Sequence, residues 1–253
     1  MRISSTAKSA SAKPAAGAPV DEVIGSSRFG ARAAEPTDGM SAGGVIDGRV
    51  VIAFDPNHED AMRARSIRAE LLAMWPTDGE RQMHAVALVA IDPGSNLPVI
   101  AANLAASMAQ LDRETLIVDA DFARPMQHEL MCVPNERGLA TILAGQGGAA
   151  GTMLPTAVRG LTVMPAGSID DTVRDTLEQR PILEVLEQGT LRADIVIVPI
   201  SGRSDQALAT ILTHFDAVIP IVRRGRTLMR RLTSLVDALA AKGLPVCGVV
   251  LSD

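Results

Sequence analysis

Tyrosine is absent from the 253 residues, tryptophan occurs once and phenylalanine four times, so aromatic residues make up 2% of the chain. With a formal net charge of -5 as well, the chain has neither stacking platforms nor a basic footprint, which speaks against a nucleic-acid binder. Cysteine is scarce: Cys132 and Cys247 are too few for a disulfide framework or a thiolate metal site, and both are expected to be reduced core residues. The four histidines, His58, His84, His128 and His214, lack metal-ligand spacing, and no Gly-x-Ser-x-Gly elbow occurs. Metal and hydrolase chemistry therefore have no support. No segment reaches the roughly 18 uninterrupted apolar residues of a membrane span, and no apolar stretch at the start would serve as a signal-peptide core. A cytoplasmic protein is expected.

What is present is apolar bulk. Hydrophobic residues are 47% of the chain and charged ones 21%, enough for a core of ordinary size. Residues 1–44 stand apart, with ten Ala, seven Ser, six Gly and three Pro and little periodicity, and are expected to form a disordered low-complexity tail. The domain is then residues 45–253. Within it Arg49 to Phe54 reads as a strand stopped by Asp55-Pro56, and residues 59–75 as a helix with Met62, Ile67, Leu71, Met74 and Trp75 inward and Arg63, Arg65 and Arg68 outward. Further strands are expected at 85–91, 115–119, 161–164, 194–198, 217–222 and 246–251. Helices are expected at 98–111, 137–144, 173–188, 205–215 and 227–242. Several strands are apolar without alternation, which suits a mostly parallel central sheet with helices on both faces. The fold class is α/β.

In such a sheet ligands bind where strands end and helices begin, because helix N-termini present free amides there. The first such place is Ala90-Ile-Asp-Pro-Gly-Ser-Asn-Leu-Pro-Val-Ile-Ala-Ala-Asn-Leu-Ala105. It resembles the bacterial tyrosine kinase family of capsule and exopolysaccharide synthesis, which is related to the ParA and MinD P-loop ATPases. That family reads Pro-Gly-Glu-Gly-Lys-Ser-Thr followed by Ala-Ala-Asn-Leu-Ala. Pro93, Gly94 and Ala101 to Ala105 keep the register, with Ser95 in the loop. Asn96 stands where the family has Gly, Leu97 where it has the phosphate lysine, Pro98 where it has the magnesium-binding hydroxyl, and Val99 where it has Thr. Leu97 cannot offset phosphate charge, and Pro98 offers neither hydroxyl nor amide hydrogen. The same stretch is also good ordinary structure for a strand-to-helix turn, since proline suits a first helical turn.

The second strand ends Asp119-Ala-Asp121-Phe-Ala-Arg124-Pro125, similar to the family's second acidic motif, whose acids help hold magnesium and activate the acceptor hydroxyl. Alternate positions on an extended segment face one way, so Asp119 and Asp121 can share a site, although paired acids also close strands as turn formers. A third expected acid is missing: the family's strand ending in Asp-Thr-Pro-Pro aligns so that Pro199 takes the carboxylate's place. The resemblance spans roughly 200 residues, through Pro134 to Gly145, Leu161 to Gly167, Asp205 to Thr227 and Gly248 to Leu251. Arg65 and Arg68 match two basic positions of the family's subunit-packing helix, with Met62 replacing its acid. Arg223, Arg224, Arg226, Arg230 and Arg231 lie together at a strand end and helix start, as an anion or partner contact or as a hydrated surface.

The resemblance implies a catalytically degenerate module of polysaccharide assembly or export, with no catalytic residue, no cofactor and no metal. Its implied partner is the cytosolic end of a membrane chain-length-determinant protein, which would recruit it to the inner membrane. Self-association, or association with another protein of this kinase type, is the second expectation. Without tyrosine the chain cannot phosphorylate itself on tyrosine. The competing expectation is an active kinase or ATPase that binds ATP and magnesium through an unusual loop.

Overall fold

Residues 97–109 contain no charged side chain and five alanines, and a helix apolar all round must be covered on every side. In the computed structural model all thirteen residues of this helix are buried. The structure describes residues 44–75, 83–187 and 193–252. Residues 1–43 of the expected tail at 1–44, the helix stop at Pro76 and the helix end at Gln188 lie outside them.

In chain order the helices are α1 (Glu59–Met74), α2 (Leu97–Ala109), α3 (Gln127–Leu130), α4 (Leu139–Leu143), α5 (Asp171–Gln179), α6 (Ile182–Glu187), α7 (Asp205–Ile211) and α8 (Met229–Ala240). The strands are β1 (His84–Ala90), β2 (Thr115–Val118), β3 (Leu154–Pro155), β4 (Leu161–Met164), β5 (Ile195–Ser201), β6 (Ala217–Arg223) and β7 (Val250–Ser252). They form one sheet in the order β3-β4-β2-β5-β1-β6-β7, parallel throughout except for β3 against β4. Both faces are covered. Along β1, Ala85, Ala87 and Val89 enter a core shared with α4 to α8, whereas Val86, Leu88 and Ala90 enter a second core with α1 and α2. Continuous apolar strands follow from that arrangement, since neither face meets water.

Proline within a central strand is tolerated only where a ladder bond is not needed. Pro199 pairs with Leu88 of β1, but the β2 ladder along β5 stops at Ile197, so its missing amide falls past the end of that neighbour. Pro220 likewise sits between the isolated bridge at Val218 and the β7 ladder that begins at Ile221.

Five expectations need correction. The segment 49–54 is a 3-10 turn at Val51–Ala53, because its polar backbone is taken by α2 side chains instead of a strand. The Ile52 amide donates to Asn103 Oδ1 at 3.1 Å, while Asn103 Nδ2 donates to the Arg49 carbonyl at 2.9 Å. Helix α1 buries Ala61, Ala64 and Leu71, and leaves Met62 and Met74 exposed. Small residues let α1 lie close on α2, and Arg68, read as outward, reaches in to donate to the Ser107 carbonyl at 2.6 Å. The expected helix at 173–188 breaks into α5 and α6, because Arg180 precedes Pro181 and takes an extended conformation. In the last strand only residues 250–252 form a ladder, after Gly248 at φ 153°. The thiols also differ from expectation: Cys132 is exposed and Cys247 half-buried, and both are free.

Candidate functional site

The β1–α2 loop leaves the sheet at Ala90 and turns on Gly94, whose φ of 80° is disfavoured for residues with a Cβ. Its carbonyls are engaged by arginines from two other elements. Arg223 Nη1, at the end of β6, donates to the Pro93 carbonyl at 3.2 Å, and Arg124 Nη2 donates to the Ser95 carbonyl at 2.9 Å. The Asn96 amide donates to Ser252 Oγ at 3.1 Å. Asp92, at the foot of the loop, accepts from Arg231 Nη1 at 2.6 Å and so ties α8 to β1. Leu97, 1% exposed, enters the core between α2 and the sheet, with Pro98 and Val99 buried beside it.

Above this loop opens a polar cleft of about 410 Å³. Gly94, Ser95 and Asn96 form its floor, with Arg124 and Ser252 beside them and the first turn of α1 opposite. There Arg63 pairs with Glu59 at 2.9 Å and with Asp60 at 2.7 Å, so the α1 wall carries one more acid than base.

Asp119 and Asp121 follow β2 and are both buried, but their partners differ. Asp119 Oδ2 accepts the amides of Met126 and Gln127, each at 2.9 Å, and Oδ1 accepts the Asp121 amide at 3.3 Å. Asp121 Oδ1 accepts from Ser201 Oγ at 2.5 Å. Burial, added to the nearby Asp121 charge, pushes the Asp119 carboxyl up to about 7, although the three amides pull the other way. Burial also raises Asp121, against the opposing hydrogen bond from Ser201. The Arg124 guanidinium donates to the Ser95 carbonyl, and its charge also acts to lower Asp121. Among the described residues no group of three or more His, Cys, Asp or Glu is placed to hold a metal ion.

The remaining sequence candidates divide. Pro199 lies inside β5 and contributes no polar side chain. Arg223 joins the loop, whereas Arg224 and Arg226 are exposed at the turn beyond β6. Arg65 and Arg68 sit on α1 and bond to carbonyls of their own chain, at Pro56 and Ser107. Burial, and after it the Arg65 charge, lowers the Arg68 guanidinium from its ordinary value. Three participants were missed in the sequence: Ser252, Ser201 and the Glu59-Asp60-Arg63 turn. Only Ser201 carried a signal, being two residues beyond Pro199 on the same strand.

No family model matches the chain. Among curated proteins it is 27% identical over 193 residues to the tyrosine-protein kinase wzc of Salmonella typhimurium, covering 75% of this chain and 26% of that protein. It is 23% identical over 211 residues to the tyrosine-protein kinase YwqD of Bacillus subtilis, covering 83% of this chain and 88% of that one. The chain thus spans about a quarter of the length of wzc. Among solved structures, the kinase domain of Escherichia coli tyrosine kinase ETK superposes with a TM-score of 0.71 at 23% identity, over 80% of this chain and 79% of that one. The septum site-determining protein MinD of Pyrococcus horikoshii, complexed with Mg-ADP, superposes with a TM-score of 0.56 at 19% identity, over 67% of this chain and 70% of that one. The fold is that of the bacterial tyrosine kinase domains and of MinD-type P-loop ATPases.

Proposed function

We propose, from the premise that this chain is a homologue of bacterial tyrosine kinases, that it is a non-catalytic binding module of capsule or exopolysaccharide assembly. One observation carries the reading: the loop that would cradle a triphosphate lacks the cation and donors to do so. The Asn96 amide is given to Ser252, while Arg223 and Arg124 brace the loop through the Pro93 and Ser95 carbonyls. Leu97 stands in the core where an ammonium would be needed, and Pro98 has no donor for a phosphate oxygen or hydroxyl for a metal. The fit to a magnesium–triphosphate is poor on each count, because phosphoryl transfer rests on positioned positive charge and metal ligands. Asp119 adds to this, since its carboxylate oxygens are spent on three backbone amides.

The partner in this reading is the cytosolic end of a membrane chain-length determinant, which would bring the module to the inner membrane. The polar cleft, with Arg124 on its floor side and the acidic first turn of α1 opposite, is the surface offered to it. Calorimetric titration of the purified chain with magnesium-ATP, beside a thermal melt, tests the first half of the proposal. No heat and no melting shift are expected. Micromolar binding with transfer to an added tyrosine peptide would reverse the reading in favour of an active kinase.

A further inference from the structure

The turn from β6 into α8 carries Arg224, Arg226, Arg230 and Arg231, with Leu228 and Met229 between the two pairs. Met229 is 72% exposed, more than any other large apolar side chain among the described residues, and Leu228 is 51% exposed. No acid occurs anywhere from residue 217 to 236. Helix α8 begins on Leu228 without a side-chain cap and without an acid in its first turn, where the helix dipole would favour one. Arg230 stands there exposed, so dipole and side chain are positive together, while Arg231 is paired with Asp92 and ties the start of the helix to the β1–α2 loop. On the neighbouring strand Leu251, 51% exposed and opposite Val222, adds apolar surface at the same edge of the sheet.

We propose that this turn docks directly on the surface of an anionic lipid bilayer. A free phosphate would be satisfied by the arginines alone and gives Leu228 and Met229 no role, and an acidic protein segment would need apolar residues of its own beside its acids. A phospholipid interface satisfies both: headgroup phosphates take the Arg226 and Arg230 guanidinium groups, and the acyl boundary takes the exposed apolar pair. This contact involves lipid only and does not depend on any protein partner or on the state of the nucleotide loop.

Sedimentation of the full chain with vesicles tests it, using phosphatidylcholine alone and phosphatidylcholine mixed with phosphatidylglycerol. Binding is expected only with the anionic vesicles, and is expected to weaken steeply as salt is raised. The double variant Arg226→Gln, Arg230→Gln should lower the partition coefficient about 25-fold, at about fivefold for each arginine near the surface. The double variant Leu228→Ser, Met229→Ser should lower it at least about tenfold at unchanged charge. Both sets of positions are exposed, so melting temperatures equal to the parent's are the expected folding control. Failure of the parent chain to bind anionic vesicles at low salt would overturn the proposal. So would binding insensitive to the Leu228 and Met229 changes, or binding abolished by millimolar glycerol phosphate, which would mark a plain anion site.

Discussion

Substituting Asn for Asp119 tests whether this buried carboxyl holds a proton in the folded state. An acid raised in the fold from its ordinary 3.8 to about 7 binds a proton that the unfolded chain has already released. Its stabilisation is therefore fully present only below the ordinary 3.8 and is lost as pH rises from there through about 7, the opposite of an ordinary salt-bridged aspartate. Integrating the two titrations between pH 5 and pH 8 gives a loss of about 2–3 kcal/mol. In a domain of this size that corresponds to a fall in melting temperature of about 5–10 °C. Asparagine cannot ionise and its Oδ1 can accept the Met126 and Gln127 amides, while its Nδ2 faces the Asp121 amide, a cost that does not vary with pH. The measurement is the difference in unfolding free energy between parent and Asp119→Asn, from urea titrations at several values between pH 5 and pH 8. The variant should gain on the parent across that range. A difference that stays constant with pH would refute the argument, whatever the absolute stabilities.

Two further predictions concern packing around the loop. Leu97→Ala should cost about 2–4 kcal/mol, because the side chain it truncates is 1% exposed and surrounded by α2 and the sheet; a urea midpoint shift near zero would show that the residue faces the cleft instead. Gly138→Ala should cost about 3 kcal/mol although its φ of −179° suits any residue, because an added Cβ would lie 1.9 Å from the Pro165 carbonyl oxygen. A variant as stable as the parent would mean that the Gly138 and Pro165 segments can separate without loss.

Local pattern and tertiary context each account for a distinct part of this molecule. Strands β1, β2, β4, β5 and β6 were readable because short β-branched runs between turn residues need no distant partner to be recognised. Helix α2 was readable for a related reason, its alanine-rich apolar run following a strand and a glycine turn. The segment 49–54 carried the same local signal as those strands but has no neighbouring strand to pair with, and Asn103 of α2 satisfies its backbone instead. The break at Pro181 was visible in the sequence, and the helical pattern on both sides outweighed it.

Composition and motif by themselves determined the absences at the loop, since no fold can supply an ammonium from Leu97 or an amide hydrogen from Pro98. They also placed the acids at 119 and 121 at the end of a strand. Only the tertiary structure decided what those groups do, because their partners come from distant parts of the chain: Ser252 under Asn96, Ser201 on Asp121, Arg223 on Pro93. Burial, and with it the protonation of Asp119, is likewise a property of what packs around a side chain, and a linear sequence carries no record of that distance.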